Sequence, residues 1–244
     1  MAHVEVHDDR TLESPVLVEG LPGVGLVGKI ATDHLVETFD MSYYAACRCE
    51  GLPDVAVYHE GERAVVPPVR IYADHDRNLL ALQSDVPVSP NEASEFAACL
   101  SGWLAEHDVL PLYLSGMPTE KDGRPELHGV ATGDAGSILE RHDVSAPPRG
   151  GFVSGPTGSL LSYAEDHGLD SLGLVVESNA QFPDPEAARV LLLDAIGPIA
   201  DVEVDTQKLV DQAEEIADAR QQLAQQMSQG TDDSSQAKPL GMFQ

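Results

Sequence analysis

Five residues near the start of the chain have the types and spacing that phosphate chemistry uses: Gly20, Gly23, Gly25, Gly28 and Lys29. Backbone N–H groups of a glycine-rich turn, at the head of a helix, converge on an anion and share the helix's positive end. Gly23, Gly25 and Gly28 fit G-x-G-x-x-G, and Glu50 follows about where a dinucleotide fold places its ribose-binding acid. Gly23, Gly28 and Lys29 also fit G-x-x-x-x-G-K, but the next residue is Ile30, so the hydroxyl that would hold magnesium is missing. Leu21 and Pro22 lengthen a turn that the dinucleotide fingerprint keeps tight. Such glycines serve equally to let a helix pack close on a sheet, and that is the preferred reading. A second turn, Gly155-Pro156-Thr157-Gly158-Ser159, raises the same choice. Thr157, Gly158 and Ser159 either hold an anion or cap a helix, with the cap preferred.

Other reactive residue types do not assemble into a pattern. The nine histidines form no H-E-x-x-H, and His3 and His7 fall in a terminus expected to fray. Ser115 and Ser154 precede glycines but lack the G-x-S-x-G of a nucleophile elbow. Cys47 and Cys49 are too close for an ordinary disulfide and have no second ligand pair, so Cys47, Cys49 and Cys99 are expected as buried free thiols. No catalytic residue, cofactor or metal site is assigned.

The elements that must position the glycine turn are legible around it. Val16-Leu17-Val18 suits a buried strand, and from Val24 the apolar residues Val27, Ala31, Leu35 and Phe39 recur as one helix face. Further strands are expected at Tyr43–Cys49, Leu79–Gln83, Leu110–Ser115, His128–Ala131, Gly150–Ser154 and Leu172–Val176. Segments Val55–His59 and Ala64–Tyr72 flank Glu60-Gly61-Glu62-Arg63 as an early hairpin, with Pro67-Pro68 interrupting its second arm. One helix is expected after Ser89, as a cap with Pro90 and Glu92, a second from the Gly155–Gly158 turn to His167 with Gly168 as its stop, and a third from Asp184-Pro185 to Gly197-Pro198. The fold class expected is α/β: a mostly parallel sheet covered by helices on both faces, with an early β-hairpin insertion. A ligand crevice, if present, lies along the strands' C-terminal edge, where Gly20, Ser84, Ser115 and Glu177 fall. Residues 1–11 are expected to be flexible, 12–204 to form the globular domain, and 205–229 a polar C-terminal helix with a thin apolar stripe. Residues 230–244 are expected as a disordered tail.

Charge narrows the function classes. With 14 basic and 41 acidic residues the net charge is −27, and the acids are dispersed. That surface stays hydrated in concentrated salt, and it excludes nucleic acid, whose phosphates need a basic patch. The polar start of the chain and the lack of a long apolar run point to a cytoplasmic protein with no membrane span.

Three segments carry a more specific signal: L-P-G-V-G-L-V-G-K at Leu21–Lys29, V-S-G-P-T-G-S-L-L at Val153–Leu161, and E-S-N-A-Q-F-P-D-P-E-A-A-R at Glu177–Arg189. Their order and spacing resemble the archaeal and actinobacterial proteasome-assembly-chaperone family over about residues 12 to 225. The resemblance implies a binding role, a homo-oligomer, and proteasome core α-ring subunits as partners. The chain ends Leu240-Gly241-Met242-Phe243-Gln244, and apolar residues at the tip of a polar tail imply something that receives them. Met242, Phe243 and Gln244 resemble the hydrophobic–tyrosine–any ending with which proteasome activators dock between α-subunits, with Phe243 in the tyrosine's place. The alternative is an enzyme or sensor holding a phosphate-bearing or nucleotide ligand at the two glycine turns, 20–29 and 155–159.

Overall fold

The computed structural model describes residues 3–8, 10–61, 63–119, 123–217 and 219. An eight-stranded sheet forms its centre. The strands are β1 (His3–Val6), β2 (Val16–Gly20), β3 (Ser42–Arg48), β6 (Val69–Asp74), β7 (Leu79–Ser84), β8 (Leu110–Pro118), β9 (Leu127–Thr132) and β10 (Ser171–Ser178). Two short strands, β4 (Val57–Tyr58) and β5 (Val65–Val66), pair with each other as a separate hairpin. The order across the sheet is β1-β3-β6-β7-β2-β8-β10-β9.

Strand neighbours β7, β2, β8 and β10 are parallel. The expectation of a mostly parallel sheet describes this central block, while the sheet as a whole is mixed. β1, β3, β6 and β7 pair antiparallel on one flank, and β9 runs antiparallel to β10 on the other. The physical reason lies in the connections. β6 and β7 are joined by a tight turn at Asp74–Leu79, which can only return the chain antiparallel.

Alternation along each central strand sends side chains to two cores. Val18, Leu79, Ala81, Leu112, Leu114, Leu172, Leu174 and Val176 face one side, against helix α1 (Val27–Thr38), α3 (Gly136–Arg141) and α5 (Pro185–Leu191). Leu17, Leu80, Leu82 and Tyr113 face the other, against α2 (Ala93–Glu106) and α4 (Gly155–Asp166). Helices on both faces explain why these strands read as continuous apolar runs. After α5 the helix passes through a π turn at Leu192–Ile196 into α6 (Gly197–Ala200). Residues 207–217 are helical as well and are called α7.

Several expectations are corrected. His3–Val6, expected in a flexible segment, pairs with Cys47 and its neighbours as an edge strand. Residues 150–154 form no strand, since Gly150 and Gly151 start an open loop in which Phe152 is 92% exposed. Helix α2 starts at Ala93, after a turn closed by Glu92 N–H on the Ser89 carbonyl, so Ser89 is not its cap. Gly197-Pro198 does not end the helix, which continues through the π turn to Ala200. Cys49 and Cys99 are joined as a disulfide with Cα atoms 5.7 Å apart, and only Cys47 is a free buried thiol.

Candidate functional site

The glycine turn sits on the C-terminal edge of the parallel block. β2 ends at Gly20, and a 3₁₀ turn at Val24–Leu26 leads into α1. Gly25 has φ +62°, and a Cβ there would lie 1.8 Å from Ser178 Oγ. The Gly25 carbonyl accepts from Asp184 N–H at 2.9 Å, so the turn is pinned to the β10–α5 connection. Gly116 on β8 passes under the turn, where a Cβ would stand 2.3 Å from the Val24 carbonyl oxygen. At Gly20 a Cβ would meet Thr32 Oγ1 at 2.0 Å, and at Gly28 it would meet the Glu19 carbonyl oxygen at 3.2 Å. Around Gly23 there is open space to 4 Å. Four close approaches of backbone to neighbouring elements account for Gly20, Gly25, Gly28 and Gly116.

Lys29 is held by two carboxylates, Asp33 at 3.0 Å and Asp85 at 3.3 Å. Asp85 also takes a hydrogen bond from buried Arg70, whose other nitrogens reach Tyr72 Oη at 3.0 Å and Gln83 Oε1 at 3.4 Å. Gln83 Nε2 closes the network by donating to Asp33 at 2.9 Å. Burial opposes charge on both Arg70 and Asp85, and it is outweighed only by several interactions together: their mutual hydrogen bond and charge attraction, with Tyr72 added at Arg70 and Lys29 at Asp85, hold Arg70 above and Asp85 below their ordinary values. This network lies where β2 and β7 send their helices to opposite faces of the sheet, the usual place for a crevice in such folds. Here the crevice is spanned by ion pairs and hydrogen bonds among the protein's own side chains.

Glu19 is the site residue that reading the motifs misses. Its side chain is fully buried. One carboxylate oxygen accepts from Leu21 N–H and the other from Leu114 N–H, each at 2.9 Å, while Thr157 Oγ1 donates at 3.4 Å. Loss of solvation raises its pKa to about 7 despite the two backbone donors. Thr157 and the β2 end of the glycine turn are therefore brought together through Glu19. Gly158 packs instead on Val153, with a Cβ position 2.2 Å from its carbonyl oxygen, and Ser159 follows it on α4. The signal in the sequence is one acid inside V-L-V-E-G, a strand otherwise apolar. Chemically the arrangement is a brace: a carboxylate joining β2, β8 and α4, its strongest donors being backbone groups.

On α5, Asp184 caps as expected, accepting from Ala187 N–H at 3.1 Å and Asn179 N–H at 2.8 Å. Helix α7 docks on α1. Leu209 enters the core, Lys208 reaches Glu37, and His34 Nε2 lies 2.6 Å from the Asp205 carbonyl oxygen. Met242, Phe243 and Gln244 lie outside the described residues. Among the described residues no group of three or more His, Cys, Asp or Glu could hold a metal ion, and no helix is long and apolar enough to cross a membrane.

Comparison with known proteins adds relatives to this geometry. A model of the PAC2 family matches residues 17–224. An uncharacterized protein of Methanocaldococcus jannaschii is 28% identical over 222 residues, covering 88% of this chain and 87% of that one. Pyrococcus furiosus PbaA, an archaeal homolog of proteasome-assembly chaperone, is similar in structure with a TM-score of 0.77 and 26% identity over 95% of each chain. Pyrococcus furiosus PbaB, an archaeal proteasome activator, has a TM-score of 0.74 at 22% identity over 91% of this chain and 98% of that one, a likeness of fold. The family match runs from the strand before the glycine turn through the described part of α7 and takes in every element of the site, so the chain belongs to the PAC2 family.

Proposed function

We propose that this protein is a non-enzymatic proteasome assembly chaperone or activator-like protein that docks its C-terminal tail into inter-subunit pockets of the proteasome core α-ring. The observation that carries the reading is its likeness to Pyrococcus furiosus PbaA over 95% of both chains, in a chain ending Met242-Phe243-Gln244. The protein acts in the cytoplasm as a homo-oligomer, so that several weak tails engage one ring and gain by multivalency. Residues 230–241 can stretch at most about 40 Å, enough reach to cross the face of such an assembly. Phe243 anchors the contact by burying its ring, and the terminal carboxylate of Gln244 pairs with a lysine of the pocket.

The test is capture of proteasome α-rings by the full chain in high salt, compared with Phe243→Ala, Phe243→Tyr and a one-residue extension after Gln244. Burial of the ring contributes roughly 1.5–3 kcal/mol per tail, so Phe243→Ala weakens each contact about tenfold or more. The extension is expected to weaken capture similarly, and Phe243→Tyr to leave it equal or tighter. Equal capture by all four proteins would rule the tail mechanism out.

The alternative, a phosphate-bearing ligand at the glycine turns, draws less support from the geometry. Lys29 is already paired with Asp33 and Asp85, and Gly25 packs on Ser178. A nucleotide-induced thermal shift that disappears in Lys29→Ala would favour it.

A further inference from the structure

We propose that the Cys49–Cys99 disulfide is a redox-operated latch that fixes the position of the β4–β5 hairpin. Cys49 follows the end of β3, and Cys99 sits in the second turn of α2. The bond therefore ties the exit of a flank strand to the helix covering it. Just beyond, Gly51 (φ +89°) runs against Glu92, where a Cβ would meet Glu92 Cβ at 2.7 Å. From there to residue 67 no described residue is buried. Among the described residues β4 and β5 pair only with each other, and Val55, Tyr58 and Val65 are 47%, 79% and 65% exposed. Apart from Leu52, which packs partly buried against the core beneath α2, such a segment has almost no apolar burial of its own to hold it. Its anchors are its ends: the disulfide on one side, and on the other the entry to β6, with His59 Nε2 3.3 Å from Arg70 Nη2.

The two sulfurs differ in access. Cys49 is 6% exposed within the core beneath α2, whereas Cys99 is only partly buried. A thiolate of a small dithiol reductant attacks Cys99 Sγ, the S–S bond breaks, and Cys49 leaves as a thiolate that takes up a proton. The reductant's second thiolate then attacks the mixed disulfide, releasing Cys99 as a thiol and closing the reductant's own disulfide. Two electrons pass from reductant to protein, and two protons end on the cysteines. Cys47, two residues from Cys49 in the same core, does not compete, since burial pushes its thiol up to about 12 and keeps it protonated. Disulfides exposed to cellular thiols are commonly transient or redox-sensing, which suits a bond placed at the root of a loosely held hairpin.

The experiment is amide hydrogen exchange on the full chain, oxidised and then reduced with a dithiol, beside Cys99→Ser and Cys47→Ser. Expected is at least tenfold faster exchange over residues 50–66 on reduction and in Cys99→Ser, with β2, β8 and β10 unchanged. Reoxidation restores the slow exchange, and Cys47→Ser behaves as the unaltered protein. Because reduction needs no substitution, the comparison survives a variant that fails to fold. Three outcomes overturn the proposal: equal exchange over 50–66 in both redox forms, faster exchange spread through the whole sheet, or three alkylatable thiols after purification without reductant.

Discussion

A carboxyl group buried without a cationic partner resists ionisation, and among the described residues Glu19 stands in that position with backbone N–H groups as its main partners. Its folded pKa of about 7 lies above the ordinary 4.5. Between those values the folded chain binds a proton that the unfolded chain releases, so stability falls as pH rises across the window. The full effect is roughly 3 kcal/mol for a shift of this size. Glu19→Gln cannot titrate, so unfolding by denaturant at constant ionic strength should show the variant losing less stability than the original protein from pH 5 to 8. Parallel curves for the two would contradict the role given to Glu19. At the same edge two glycines make opposite predictions. Gly25→Ala strains a left-handed φ and drives a methyl into Ser178, and should cost about 2–3 kcal/mol or prevent folding. Gly23→Ala meets open space at an extended φ of −145° and should change stability by less than about 0.5 kcal/mol. Chemical denaturation of the pair decides whether the turn is built by packing.

At the scale of elements, the β10–α5 junction shows how a short motif positions a whole helix. Asp184 caps α5 and also accepts from the Asn179 N–H, so Asp184→Ala leaves two backbone donors short of their partner. A cost of about 2 kcal/mol is expected, the upper end for a cap, read as a lowered denaturation midpoint with unchanged slope. This junction was legible in advance because Asp184-Pro185 carries its cap and its first-turn proline in adjacent letters. So was the β2–turn–α1 unit, whose period changes from strand to helix within ten residues. What was not legible depends on partners distant in sequence. The antiparallel flank is set by which strands come to lie side by side, and the pairing of β1 with β3 joins residues about forty apart. Cys49 and Cys99 are separated by 50 residues, and only the packing of α2 on the flank strands brings them together. Within the site, the glycines and their role in close packing were visible, but the partners they approach were not. Close approach to Ser178, Thr32 and Val24 is a property of the assembled sheet edge. Glu19 escaped notice because one acid in an apolar strand signals burial without naming its partners.

For the molecule as a whole, charge is the feature that reaches every element. If each of the 14 basic residues neutralised one of the 41 acids, 27 acids would remain without a counter-charge. Among the described residues, Arg10, Lys29, Arg48, Arg70, Arg77, Arg124, Arg189 and Lys208 are already engaged in ion pairs. The excess therefore acts as self-repulsion of the compact state. Two salt effects oppose each other here. Added salt weakens the exposed ion pairs, each worth only about 0–1 kcal/mol, and it screens the repulsion among all unpaired acids at once. The Debye length grows from about 3 Å at 1 M to about 30 Å at 0.01 M, so dilution lets acids on opposite sides of the fold repel one another. Repulsion should win, and the melting temperature should fall steadily as potassium chloride is diluted from molar to millimolar. Circular dichroism at constant pH measures it. Potassium chloride is the proper salt, because sulfate or phosphate would strengthen apolar burial in any protein. A melting temperature that stays flat or rises on dilution would show that the ion pairs outweigh the excess, and the reading of this surface as one built for concentrated salt would fail.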